Sequence, residues 1–255
     1  AGYSNTGAQN MYIGVQAGYN NTTANPNTYI GYQNAYYQTG THNTTLGFAA
    51  FLGSTTPANN TGGNNVAIGE YALQANTSAS NGVAIGYQAG YNNTTGTLTA
   101  VGYQSCFSQT NASSNVAFGT QALYSATAGG NNTAVGEGAA YSLTTGYNNV
   151  CIGRAAGNYG SGGPLTTGYQ NIYIGMYSVG SNAANHDEIV IGTYTTIGKG
   201  TNTGFIYAGG GGTYQGNNSA SWSTTSDQRL KKNIVDNNDG LEKITAVRVR
   251  NFEYR

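Results

Sequence analysis

The chain has 255 residues, only 7% of them charged, and a formal net charge of zero at pH 7, where an ordinary soluble domain is about one quarter charged. Zero net charge offers no bulk attraction to nucleic acid or to an anionic membrane; no apolar run reaches membrane-spanning length, and the N-terminus lacks a basic-then-apolar export signal. Abundant Gly, Asn, Thr, Ser and Tyr with so little charge admits disorder, but a strict apolar register along most of the chain argues against it.

The first residues, Ala1-Gly2-Tyr3-Ser4-Asn5, read like Ala17-Gly18-Tyr19-Asn20-Asn21 and Ala89-Gly90-Tyr91-Asn92-Asn93. Numbering therefore begins inside a repeated unit, and the expectation is a piece of a longer polypeptide. From there a glycine recurs at one phase: Gly14, Gly31, Gly47, Gly69, Gly86, Gly102, Gly119, Gly136, Gly153, Gly175 and Gly192, at spacings of 16, 17 or 22 residues. So short and steady a period predicts a solenoid, each unit one coil that buries its apolar side against its neighbours.

Within each coil the residue before the glycine is apolar, from Ile13 and Ile30 to Ile174 and Ile191. Three before it stand mostly β-branched residues such as Val66, Val83, Thr99, Val116 and Ile172. This period-two placement predicts a short strand with the β-branched residues on a buried face. Small residues between them (Ala67, Ala84, Ala100, Ala117, Ala134) predict an opposite face that is closely approached as well. Asn10, Asn27, Asn43, Asn65, Asn115, Asn132, Asn149 and Asn171, four before the glycine, are expected to cap local backbone where the chain turns into the strand, since Asn tolerates left-handed conformations. Ala17, Ala50, Ala72, Ala89, Ser105, Ala122, Ala139, Ala156 and Ser178, three after it, predict a second short strand or a tight corner. The glycine itself supplies a positive φ or room for close backbone approach.

Segments such as Asn65-Val66-Ala67-Ile68-Gly69 and Asn149-Val150-Cys151-Ile152-Gly153 resemble the head repeats of trimeric autotransporter adhesins, a left-handed β-roll, and stretches of long phage tail fibres. The resemblance covers residues 1–198; the coils here are longer than those of the adhesin roll. With so little core per coil, three chains packing together is the expected route to stability.

Catalysis has little to work with in this tract. Residues 1–186 hold three charged side chains, Glu70, Glu137 and Arg154, each directly after a repeat glycine. Two carboxylates serving one glycosidic bond stand about 5–9.5 Å apart, whereas Glu70 and Glu137, four coils apart, are separated by roughly 19 Å at strand spacing. Glu137 and Arg154 are expected to pair across one coil; a site shared between chains stays open. Tyr19, Tyr91, Tyr124 and Tyr141 recur five after the glycine and form an aromatic row, read either as a glycan-binding surface or as packing between chains. His42 and His186 lack further nitrogen or sulfur ligands, so no metal or other cofactor is expected. The Asn-x-Thr/Ser triplets are glycosylation sites only in a secretory pathway. Cys106 and Cys151, three coils or roughly 14 Å apart, exceed disulfide reach and read as buried small residues.

After Gly198 the period fades into a glycine-rich transition, residues 199–222, and seven of the nine basic residues lie beyond position 228. The run Thr224-Thr225-Ser226-Asp227-Gln228-Arg229-Leu230-Lys231-Lys232 resembles the opening of the C-terminal intramolecular chaperone of phage tail spikes, tail fibres and neck appendages, which helps three chains align and often releases itself by serine-dependent self-cleavage. The resemblance implies Ser226 as nucleophile on the Thr225–Ser226 bond, Lys231 as base and Asp227 orienting the pair. Read without it, Thr225 and Gln228 fit a helix capping box and Lys231 and Lys232 a solvated helix face. Leu241, Ile244 and Val247 at helical spacing predict a helix over 239–247, and residues 248–255 alternate like a strand.

The expected fold is thus an all-β solenoid (1–198), assembled as a homotrimer, with the start of a small α+β chaperone segment (223–255). The expected function is structural and adhesive: a phage tail fibre on the virion, partnered by other tail proteins and a host cell-surface glycan or protein. The alternative is a bacterial trimeric surface adhesin; a depolymerase spike is a third reading. Self-cleavage before Ser226 is the only enzymatic chemistry implied.

Overall fold

The computed structural model describes residues 1–159, 163–209, 211–215 and 222–224. The chain divides into two compact units, Ala1–Thr224 and Thr225–Arg255; the second, with the helix and strand expected there, lies outside the described residues.

The first unit is an all-β solenoid, as the glycine period predicts. Its strands are β1 (Met11–Ile13), β2 (Thr28–Ile30), β3 (Thr44–Leu46), β4 (Val66–Ile68), β5 (Val83–Ile85), β6 (Leu98–Val101), β7 (Asn115–Phe118), β8 (Thr133–Val135), β9 (Val150–Ile152), β10 (Ile172–Ile174), β11 (Ile189–Gly192), β12 (Gly204–Tyr207), β13 (Gly212–Gln215) and β14 (Trp222–Thr224). They form one sheet in chain order. From β1 to β12 each strand pairs parallel with the next, and the register keeps phase: Ile68 opposes Ile85, Ile85 opposes Val101 and Phe118 opposes Val135. Pairing runs past Gly198 into β12, then reverses, with β13 antiparallel to β12 and to β14. The described helix is a single 3-10 turn, Pro57–Asn59, inside one of the longer coils.

Within a single chain the strand faces are the reverse of the sequence expectation. The small middle residues Ala67, Ala84, Ala100, Ala117 and Ala134 point inward and are fully buried. The β-branched and aliphatic residues on either side point out, giving burial patterns of intermediate–buried–exposed in β5, β8 and β9. The reason is volume. A coil of about 17 residues has a narrow interior, and the turns already fill it with Leu73, Leu123 and Leu143 where the strands give alanine. Where β2 sends Tyr29 inward, the turn above it has no side chain: a Cβ at Gly18 would stand 3.0 Å from the Tyr29 ring, and one at Gly157, beside β9, would stand 2.7 Å from Cys151 Sγ.

The repeat glycine is required on two counts. Gly102 has φ 133°, outside the range of L side chains, and a Cβ there would lie 2.5 Å from the carbonyl oxygen of Gly119 in the next coil. The stack leaves no room for a side chain at this phase.

After the glycine comes a tight corner rather than a second strand. The residues three after it are buried, as in Ala17, Ala89, Ser105 and Ala139. Left-handed residues bracket them two and four after the glycine, for example Gln104 (φ 51°) and Cys106 (φ 50°), or Gln121 (φ 55°) and Leu123 (φ 52°). This alternation turns successive N–H groups along the axis. Gln104 N–H donates to the Tyr87 carbonyl at 2.9 Å and Cys106 N–H to the Ala122 carbonyl at 3.0 Å, so the corners stack as a hydrogen-bonded ladder. Both cysteines are free and buried, and burial pushes each thiol up to about 12.

The recurrent asparagines do something other than cap local backbone. The left-handed residue is one position earlier (His42, Asn64, Asn131, Asn148). The asparagine is buried and bonds along the axis. The backbone N–H groups of Asn132, Asn149 and Asn171 donate to the Oδ1 atoms of Asn115, Asn132 and Asn149 at 2.9–3.1 Å. Their Nδ2 groups donate to the carbonyls of Gly146, Gly168 and Asn185. This amide spine also runs from Asn10 to Gly82, is interrupted at Leu98, and ends at Glu188, whose N–H donates to Asn171 Oδ1 at 3.0 Å. The Glu188 carboxylate is buried and accepts from Tyr173 Oη, Asn185 Nδ2 and Gly200 N–H. Burial foremost, with the neighbouring Glu188 charge, pushes the Tyr173 hydroxyl upward.

Candidate functional site

The coil has two outer sides with different chemistry. On the strand side the outward residues form two aliphatic columns. One runs through Ile13, Leu46, Ile85, Phe118, Val135, Ile152 and Ile191, each 36–55% exposed. The other, two residues earlier, holds Met11, Val66, Val83, Val116, Val150, Ile172 and Ile189, with threonine at the same phase in Thr28, Thr44, Thr99 and Thr133. Charge is missing from both columns. The sequence contained this signal, but the β-branched positions were expected to be buried.

The turn side carries rings, amides and the few charges. Tyr91, Phe107, Tyr124 and Tyr141 stack face to face with centroids 4.9–5.1 Å apart and planes within 10°. Three of these are in the row expected from the sequence. Phe107 occupies the same phase and was legible had the row been read for any aromatic ring. Tyr19 belongs to a separate stack with Tyr3 and Tyr36, because the intervening coils place Leu52 and Gln74 at this phase. Stacking covers ring faces inside each ladder with other rings, so an internal tyrosine presents an edge outward. A further stack, Tyr147–Tyr169–His186, has planes within 3°. His186 Nδ1 lies 2.9 Å from Asp187 Oδ2. Glutamines add an amide ladder, Gln104 Nε2 donating to Gln88 Oε1 at 2.8 Å and Gln121 Nε2 to Gln104 Oε1 at 3.1 Å.

At the C-terminal end of the four-ring ladder lies an open cleft of about 350 Å³ bordered by Glu137, Tyr141, Arg154, Asn158, Tyr159 and Tyr177. Glu137 and Arg154 meet here as expected, Nε to Oε2 at 3.6 Å, with both side chains more than half exposed; such a pair contributes about 0–1 kcal/mol. The guanidinium also sits 5.5 Å from the Tyr177 ring centre. Tyr159 and Tyr177 pack at 4.7 Å, tilted by 40°. Glu70 shares the phase of Glu137 but lies on β4's coil, four coils away. His42 borders a smaller cleft of about 230 Å³ with Pro26, Asn27 and Thr44.

Ser226, Asp227 and Lys231 lie outside the described residues. Among the described residues no group of three or more His, Cys, Asp and Glu side chains could hold a metal ion, and no helix is long and apolar enough to cross a membrane. No family model, curated protein or solved structure matches the chain.

Proposed function

We propose that this chain is a length of homotrimeric fibre: the structural and host-adhesion part of a phage tail fibre, with residues 223–255 forming the start of an intramolecular chaperone that brings three chains into register. The observation that carries the reading is the pair of exposed aliphatic columns. They run the length of the parallel sheet, about 50 Å by 10 Å at ordinary strand geometry. That is roughly 500 Å² of uncharged, mostly apolar strip, interrupted only by Thr28, Thr44, Thr99 and Thr133 in one column, near the upper end of what a monomer leaves in water.

The occupant follows from the period. A partner with another repeat would fall out of step with the rungs after a coil or two, whereas a second and third copy have the same rise and cover every rung. Three chains turning their strand sides to a common axis bury the columns and leave the turn sides outward. That outer surface, rich in Tyr, Asn, Gln and Thr and poor in charge, is the part that would meet a host-surface glycan or protein. Other tail proteins are the partners expected at the ends, and the virion tail is the proposed location.

Sedimentation equilibrium tests the assembly directly. The expected mass is three times that of the chain. Replacing one residue in each column, Ile85→Lys with Val116→Lys, is expected to give monomers with an unchanged β-sheet circular dichroism spectrum, since neither side chain fills the interior. A wild-type chain that stays monomeric at micromolar concentration would overturn the reading.

A further inference from the structure

We infer that the cleft at the end of the four-ring ladder is a binding site for a single pyranose ring, stacked on Tyr141 as the next rung. This rests on the adhesive reading above and names both the place and the ligand class.

The argument starts from the interruption of the ladder. Phe107, Tyr124 and Tyr141 each cover the ring one coil before, at spacings of 4.9–5.1 Å, with Tyr91 as the first rung. In the following coil the same phase holds Asn158, so among the described residues no ring packs on the second face of Tyr141. Asn158 is drawn to the side: its Oδ1 accepts from Ser142 Oγ at 2.8 Å. A slot one coil deep is left beside an aromatic face, and the cleft found there has about 350 Å³, within the range of small-ligand sites. Aromatic stacks favour a flat apolar neighbour at this spacing, and the C–H face of a pyranose is one.

The edge of the slot supplies the complementary polar groups. Glu137 and Arg154 touch through one oxygen and one nitrogen only, Oε2 and Nε. Glu137 Oε1 and the Arg154 Nη groups have no hydrogen-bond partner among the described residues, nor do the side-chain amide hydrogens of Asn158. A carboxylate oxygen that accepts beside guanidinium hydrogens that donate matches two neighbouring hydroxyls, each of which donates and accepts. Because the pair is internally neutralised, the site suits an uncharged sugar over an anion. Arg154 is held in place from behind by the Tyr177 ring, 5.5 Å from its guanidinium carbon. The internal rings of the ladder lack such a slot, since their faces are taken, and Tyr91 at the other end meets the Tyr71 ring edge-on at 6.3 Å. This is why the row of tyrosines yields one site and not four.

The test uses the full chain and three probes: methyl β-glucopyranoside, methyl β-galactopyranoside and methyl α-mannopyranoside. Saturation-transfer NMR is expected to show millimolar binding of at least one, strongest on the ring protons of a single face. Tyr141→Leu, which keeps bulk but removes the ring, should weaken binding at least tenfold, and Arg154→Gln, an exposed change that leaves the coil intact, at least fivefold. Tyr103→Leu, in a stacked pair elsewhere on the turn side, should leave it unchanged. Absence of transfer to all three probes, or unaltered binding by Arg154→Gln together with Tyr141→Leu, overturns the site. Sedimentation of the same samples separates the two readings. A trimer that binds none of the sugars overturns this inference alone, and a monomer that binds one supports it while overturning the fibre.

Discussion

Along the strand side of the rod successive coils are nearly interchangeable: an inward small residue, two outward uncharged residues that are mostly aliphatic, and a glycine, in unbroken register from β4 to β9. The turn side of the same coils varies. Its length changes with the 16-, 17- and 22-residue spacings, one coil adds the 3-10 turn Pro57–Asn59, and its outer positions pass from ring to amide to charge. Both sides stack at the same rise, so stacking alone does not demand uniformity. The difference teaches where side chains are part of the stacking and where they only ride on it. On the strand side the neighbour's backbone or Cβ lies directly above, whereas the turns are held by main-chain ladders that accept many side chains.

The glycine phase should break first. Gly102→Ala forces φ 133° on an L residue and places a Cβ 2.5 Å from the Gly119 carbonyl oxygen. Backbone strain of about 1–3 kcal/mol adds to a clash that the stacked main chain can relieve only by separating coils. A loss of about 4 kcal/mol is expected in urea unfolding, with β6 and β7 parting first as faster amide exchange at Gly119, whose N–H donates to the Val101 carbonyl. A loss below about 1 kcal/mol would show that the stack is far softer than its geometry.

Next comes the amide spine, where polar side chains are as uniform as the glycine. Asn132→Ala leaves the N–H of Asn149 and the carbonyl of Gly146 buried without their side-chain partners. Each unmet buried group costs about 1–3 kcal/mol, so a loss of about 3 kcal/mol is expected. The chain contains its own comparison at Leu98, where the spine is interrupted. There Gln109 reaches in from the turn, donating to the Ala112 carbonyl at 2.8 Å and accepting from Asn115 Nδ2 at 2.9 Å. Gln109→Leu should therefore cost nearly as much as Asn132→Ala, although it lies on the variable side.

This contrast also explains what could be read from the sequence. The eleven glycines and their aliphatic predecessors were legible because strand-side positions admit so few residue types, and they were sufficient for the solenoid and its register. The inward direction of Ala84 and Ala117 was not, because alternation fixes which residues share a face without saying which face is inside. That depended on Leu73 and Leu123, which sit in the turns at left-handed φ, a conformation no propensity assigns to leucine. The pairing of Glu137 with Arg154 followed from phase alone. The cleft beside them did not, since it arises from a missing ring at Asn158 and from Tyr159 and Tyr177 in a coil of irregular length.

The interior thiols offer a reversible test, with no effect at neutral pH. Cys151 lies on the strand side and Cys106 in a turn, yet both are fully buried and both are raised by burial from an ordinary 9 to about 12. The neutral form is the one the fold favours. Their contribution is therefore present in full below pH 9 and is lost as pH rises from 9 to 12, where the unfolded chain has released its protons and the folded one has not. Three pKa units correspond to about 4 kcal/mol per thiol at most. The urea midpoint should hold steady to pH 8 and fall between pH 9 and 12. Cys106→Ala with Cys151→Ala should flatten the first part of that fall, leaving the steepening above pH 10 that the tyrosines raised by burial supply: Tyr12, pushed up to about 12, and Tyr29 and Tyr173, also raised. Equal flattening by either single variant is expected if strand and turn interiors are equally dry.

The smallest effect is expected where the turn side is most permissive. Ala35 is buried with φ 52°, four residues after its glycine, and the same phase holds Gly18, Phe51, Gly90, Cys106 and Gly157 in other coils. Ala35→Gly relieves a left-handed penalty of about 1 kcal/mol. Against this, it removes a buried methyl worth about 0.8 kcal/mol and loosens the unfolded chain by about 0.4–1 kcal/mol. The contributions nearly cancel, so the unfolding free energy should change by less than about 1 kcal/mol, on the destabilising side. The same exchange run in reverse at the strand end, Gly102→Ala, costs several times more, although both sites have positive φ. What separates them is the neighbouring coil: the Ala35 N–H donates to the Ala50 carbonyl at 2.9 Å with the side chain directed into the interior, whereas a side chain on Gly102 would point along the stack. A loss above 2 kcal/mol for Ala35→Gly would mean that the turn ladders, too, depend on their side chains.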